Sequence, residues 1–93
     1  MSRKKAEQIL RICFGETGLV RPPSGERKGW EVRLILFSSE ELEVIQQASE
    51  AIGLKAGRPW AKSNRTVLPF YGEDAMKWFT SGGATTPNSK SRR

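Results

Sequence analysis

Residues 30–37 read Trp-Glu-Val-Arg-Leu-Ile-Leu-Phe. Trp30, Val32, Leu34 and Leu36 share one parity, against Glu31, Arg33, Ile35 and Phe37 on the other. Successive side chains of a strand point to opposite faces, so this strand has one clearly apolar face. A second run, 65–71, repeats the pattern. Thr66, Leu68 and Phe70 suit the core, and Arg65 and Val67 take the open side. Two such strands specify a sheet with one face to be covered. In a chain of 93 residues the cover comes from short helices packed on that face.

Helical patterns flank the strands. Residues 3–14 place Ala6, Ile9, Leu10, Cys13 and Phe14 at helical spacing, with Gly15 and Gly18 bracketing the end. Residues 19–22 form a short extended piece that stops at Pro22-Pro23, and a Pro- and Gly-punctuated loop follows. Ser38-Ser-Glu-Glu41 is a capping box. Behind it Leu42, Ile45, Ser49 and Ile52 mark a helix face, with Val44 and Ala48 beside it, and Gly53 fits the left-handed stop. Residues 57–62 and 65–71 read as strands joined by a tight turn at Ser63-Asn64. After Gly72, Glu73 and Asp74 sit where a last helix favours acids.

The expected order is therefore α-β-β-α-β-β-α, an α+β fold with a four-stranded antiparallel sheet covered by helices on one face. Residues 1–80 form one domain. Residues 81–93, small, polar and basic, read as a disordered tail.

Composition removes several chemistries. With no histidine and one cysteine, Cys/His zinc sites, His-based triads and an internal disulfide are excluded. No apolar stretch approaches a membrane span of ~18 residues. Glu7 and Arg11 interrupt the apolar residues near the start, which does not read as a secretory signal. The expected location is intracellular, cytoplasmic or nucleoid-associated.

Net charge is +6, and its placement is uneven. The middle helix has Glu40, Glu41, Glu43 and Glu50 and no cation, while residues 55–71 hold Lys55, Arg58, Lys62 and Arg65 and no acid. The first hairpin adds Arg21, Arg27, Lys28 and Arg33 against Glu26 and Glu31. Arg58, Trp60 and Lys62 are two apart, so strand alternation puts them on one face.

Such a face suits nucleic acid, because cations on phosphates release condensed counterions and arginine pairs with guanine edges. The candidate contacts are Arg21, Arg27, Lys28, Arg33, Arg58, Trp60, Lys62 and Arg65. The bland alternative is a solubilised sheet face with Trp60 packed on the tail or a neighbour. An RNA-binding sheet normally presents two or more stacking aromatics. Trp60 is the clear candidate here, with Phe37 or Tyr71 at strand ends, so duplex DNA is favoured. Cys13, Trp30, Tyr71 and Trp78 read as packing residues.

With these elements in place, the chain resembles the LAGLIDADG homing-endonuclease family over about residues 6–79. The element order is that of the family's core unit. "GLKAGRPWAKSNRTVLPFYGEDAMKWF" resembles its second hairpin with the helix that follows, and "ILRICFGETG" resembles its motif helix in a degenerate form. Leu10 and Arg11 stand where the family has small residues, and Phe14 replaces an acid. The resemblance implies that Glu16 is the catalytic, metal-binding acid, that Mg²⁺ is the cofactor, and that a homodimer brings two copies of Glu16 together. A one-residue shift of register puts Thr17 at that position instead. The alternatives are a non-catalytic DNA-binding domain of the same fold and an RNA-binding or splicing accessory protein.

Overall fold

The computed structural model describes residues 1–81; the remainder of the expected tail, with Lys90, Arg92 and Arg93, lies outside the described residues. Helix α1 spans Arg3–Thr17, strand β1 Leu19–Arg21 and strand β2 Glu31–Leu36. Helix α2 spans Ser39–Ala51, β3 Trp60–Lys62, β4 Arg65–Tyr71 and α3 Glu73–Thr80. The strands form one antiparallel sheet in the order β1-β2-β4-β3. The expected α+β order and four-stranded antiparallel sheet are present.

Strand β2 organises the packing. Val32, Leu34 and Leu36 are fully buried and pair in register with Phe70, Leu68 and Thr66 of β4. All three helices contact β2. Phe79 of α3 lies 5.2 Å from the Phe14 ring and 5.1 Å from the Phe70 ring, which ties α1, α3 and β4 together. The first pair is tilted and the second edge-on, and aromatic contacts of these kinds add stabilisation beyond area burial.

The caps follow the sequence. Ser38 Oγ accepts from Glu41 N–H at 3.0 Å, and Glu41 Oε1 accepts from Phe37 N–H at 2.8 Å. The return bond thus reaches one residue further back than the usual capping box. Gly53 adopts φ +74° after α2, and Ser63 adopts φ 56° in the β3–β4 turn.

Two boundaries differ from expectation. Helix α1 continues through Gly15 to Thr17. Its last turn is stitched down by Thr17, whose Oγ1 donates to the Cys13 carbonyl at 3.3 Å and accepts from Ile35 N–H of β2 at 3.2 Å. One glycine in a helix costs only about 1 kcal/mol, which that tertiary anchor offsets. Strand β3 begins at Trp60 rather than residue 57. Neither Pro59 nor Pro69 has an N–H to offer a ladder, and beyond Trp60 only Gly57 N–H reaches β4, at the Pro69 carbonyl (2.7 Å). Val44 is 40% exposed rather than part of the buried helix face. Among the described residues no helix is long and apolar enough to cross a membrane.

Gly18 closes α1 by close approach. Its N–H donates to the Phe14 carbonyl at 2.8 Å, and a Cβ there would lie 2.6 Å from that same oxygen and 2.3 Å from Cδ1 of the Phe14 ring. Gly18→Ala therefore forces a core aromatic and a helix terminus apart. The expected loss is about 1–3 kcal/mol of unfolding free energy in chemical denaturation, typical of overpacking.

Candidate nucleic-acid interface

Antiparallel partners share a face. The register therefore assigns Arg21, Glu31 and Tyr71 to the side of the sheet opposite the helices, in line across β1, β2 and β4. Leu19, Arg33 and Pro69 form the next row, and Ile35, Val67 and Trp60 the next. Lys62 and Arg65 complete the face beside the β3–β4 turn. No helix covers this side. The acids of α2 belong to the opposite layer, which packs on the other face of β2.

One end of the open face is a fixed cluster. Glu31 is only 4% exposed, and two arginines enclose its carboxylate. Arg33 donates through Nε to Oε2 at 2.9 Å and through Nη2 to Oε1 at 3.4 Å. Arg27 Nε lies 3.5 Å from Oε1, and Arg27 Nη1 donates to the Pro22 carbonyl at 3.0 Å. The Arg33 guanidinium also lies over the Trp60 ring, 4.9 Å from its centroid. Toward the rim, Arg65 lies 4.5 Å from the centroid of the Phe37 ring, and Phe37 is 56% exposed. Tyr71 is 61% exposed, its ring above Gly57. A shallow recess of about 460 Å³ opens between Ile35, Lys62, Asn64, Arg65 and Val67.

The sequence candidates thus separate by place. Arg21, Arg33, Trp60, Lys62 and Arg65 are brought together on one face. Arg27 and Lys28 lie in the β1–β2 loop, Arg27 half-buried against Glu31 and Lys28 exposed. Arg58 is exposed but precedes β3, so strand alternation does not place it beside Trp60. Glu31 was absent from the sequence candidates, because an acid among cations reads as dilution. Its spacing from Arg27 (i−4) and Arg33 (i+2) was the available signal.

Helix α1 has a different character. Glu16 is exposed in its last turn, on the same side as the exposed Ile12. Thr17 is committed to the bonds that anchor the helix, so Glu16 is the polar group free at this end. Leu10 and Phe14, set against the crossing residues and an acid of the motif, are buried in this chain's own core. Arg11 is half-buried against α3. It donates to the Trp78 carbonyl at 2.9 Å and lies 3.9 Å from that ring's centroid, so its charge is neither unpaired nor directed at a second α1. Burial pushes the Cys13 thiol up to about 11, which keeps it protonated at neutral pH.

Among the described residues no group of three or more acids and cysteines could hold a metal ion. Mg²⁺ takes near-octahedral oxygen coordination, and Glu16 of one copy offers a single carboxylate. Among the described residues, Glu16 is thus the one carboxylate that this end of α1 offers a cation. No protein-family model, curated protein or solved structure matches the chain.

Glu31 holds the half-buried Arg27 and Arg33, with side chains 27% and 20% exposed. Glu31→Ala leaves both without their counter-charge. It is expected to lower unfolding free energy by about 1–3 kcal/mol, since removing one partner of a buried pair strands the other. Glu26→Ala, at an exposed loop position, should stay within about 0.5 kcal/mol by the same denaturation assay.

Proposed function

We propose that the chain binds duplex DNA by laying the open face of its sheet against the double helix. One observation carries this reading: Arg21, Arg33, Lys62 and Arg65 share the sheet face opposite the helices, on which Val67 and Pro69 are buried, while the acids of α2 occupy the other layer. The field is thus polarised toward a polyanion on one side, with the acids of α2 held away from it and Glu31 the one acid of the strands on that face. The β3–β4 turn lies at the sheet's edge, where Lys62 and Arg65 can reach duplex phosphates. Duplex is favoured over single-stranded RNA because the Arg33 guanidinium already lies over Trp60, and Phe37 and Tyr71 stand apart at strand ends. A base stacking on the covered side of Trp60 would have to displace that cation.

A second reading keeps the LAGLIDADG likeness: a homodimeric, Mg²⁺-dependent DNA endonuclease. Its support is Glu16 on the exposed side of α1, with exposed apolar Ile12 (49%) one turn before it and exposed Leu19 (51%) just beyond. A carboxylate in the last turn opposes the helix dipole, so local stability does not account for it. Two copies would be needed to assemble a cation site. With no such pairing, the protein is a DNA-binding domain that does not cut.

Binding is tested by fluorescence anisotropy on a duplex and on a single-stranded RNA of the same sequence, across a salt series. The double variant Lys62→Ala/Arg65→Ala should weaken duplex binding and reduce the magnitude of the salt slope by about 2, one for each lost phosphate contact. Unchanged duplex affinity defeats the sheet-face reading. Tighter RNA binding that disappears with Trp60→Ala transfers the function to RNA. Nicking of a plasmid library in Mg²⁺, abolished by Glu16→Gln, supports the endonuclease; binding without nicking supports the non-cutting domain.

A further inference from the structure

The cations of the open face are not equivalent. Lys62 and Arg65 are exposed on the β3–β4 hairpin, and among the described residues neither is paired with an acid, Arg65 resting only over the exposed Phe37 ring. Arg33 differs in every respect. It lies on β2, an interior strand, its side chain is 20% exposed, and its guanidinium is held from two directions. The Glu31 carboxylate takes the side-on edge, Nε and Nη2, and the Trp60 ring lies beneath its plane. That leaves the end-on edge, Nη1 with the second Nη2 hydrogen. Among the described residues Nη1 has no hydrogen-bond partner, and this edge is the fork that matches a pair of acceptors.

We propose that Arg33 is the residue that reads base sequence, that its ligand is the O6/N7 edge of a guanine in the major groove, and that Glu31 is the positioning residue that aims it. This rests on the duplex-binding reading above. Guanine is the one base that presents two acceptors side by side in the major groove, and a bidentate arginine is their matching donor. Most arginines lose side-chain freedom on making such a contact. Arg33 has lost much of it already, to Glu31 and Trp60, so more of the contact energy goes into discrimination. Lys62 and Arg65, exposed at the hairpin, supply phosphate contacts that carry no sequence information.

The experiment selects bound sites from a random duplex pool with wild-type protein, Arg33→Lys and Glu31→Gln. Wild type should enrich a site with a fixed guanine, and replacing that guanine with adenine should weaken binding about tenfold or more. Arg33→Lys keeps the charge and loses the fork, so the guanine preference should flatten. Replacing the guanine by 7-deazaguanine, which lacks the N7 acceptor, should weaken wild type and leave Arg33→Lys unaffected. Glu31→Gln, nearly isosteric, should flatten the preference in part. It also answers the question if Arg33→Lys proves unfolded by circular dichroism.

Arg33 as the base reader is overturned if Arg33→Lys selects the same site with the same discrimination. It is also overturned if wild type binds every duplex equally, an outcome that leaves the duplex-binding reading standing. A wild-type protein that binds no duplex overturns both.

Discussion

The period-two alternation of β2 is the constraint on which the molecule depends. Val32, Leu34 and Leu36 must leave water together, and a strand can send them to one face only. All three helices pack on that strand, and β1 and β4 pair with its two edges. A shift of one residue would bury Arg33 among Phe70 and Phe79 and expose the leucines. The same alternation that builds the core therefore builds the opposite face. Glu31, Arg33 and Ile35 appear there because Val32, Leu34 and Leu36 do not.

That second face is organised rather than merely solvated. A buried carboxylate ordinarily opposes folding unless it is paired and hydrogen-bonded. Glu31 meets this condition with two guanidinium groups, one from the β1–β2 loop and one from its own strand. The arrangement leaves more cation than anion at one end of the face and restrains the cations it pairs. Around it, Lys62 and Arg65 are exposed, and the acids of α2 lie in the other layer. The likeness to a homing endonuclease has less behind it. Leu10 and Phe14 serve this chain's own core, Arg11 is bound to α3, and Glu16 offers one carboxylate.

Much of this was legible in the sequence, for identifiable reasons. Capping at Ser38 and Glu41, the left-handed stop at Gly53 and the turn at Ser63 are local chemistry, and local chemistry is written in adjacent residues. The element order and the buried parity of β2 and β4 follow from alternation. The start of β3 was not legible, because it depends on Pro69 in another strand as well as on Pro59. The end of α1 was hidden for a similar reason: Thr17 bonds to Ile35, eighteen residues away. At the face, the charge was legible and its geometry was not. Glu31 looked like dilution until the fold closed Arg27 and Arg33 around it. Arg58 looked like part of the strand until the ladder stopped at Trp60.

The central claim is that the open sheet face meets a duplex. It is tested most directly by titrating isotope-labelled protein with a short DNA duplex and mapping backbone and side-chain resonance changes by NMR. The changes should concentrate at Arg33, Trp60, Lys62 and Arg65, with the Arg33 Nε–H resonance among them, while Glu43, Gln47 and Glu50 on α2 stay still. Changes confined to the α1–α2 layer, with the sheet-face resonances unmoved at saturating duplex, would contradict it.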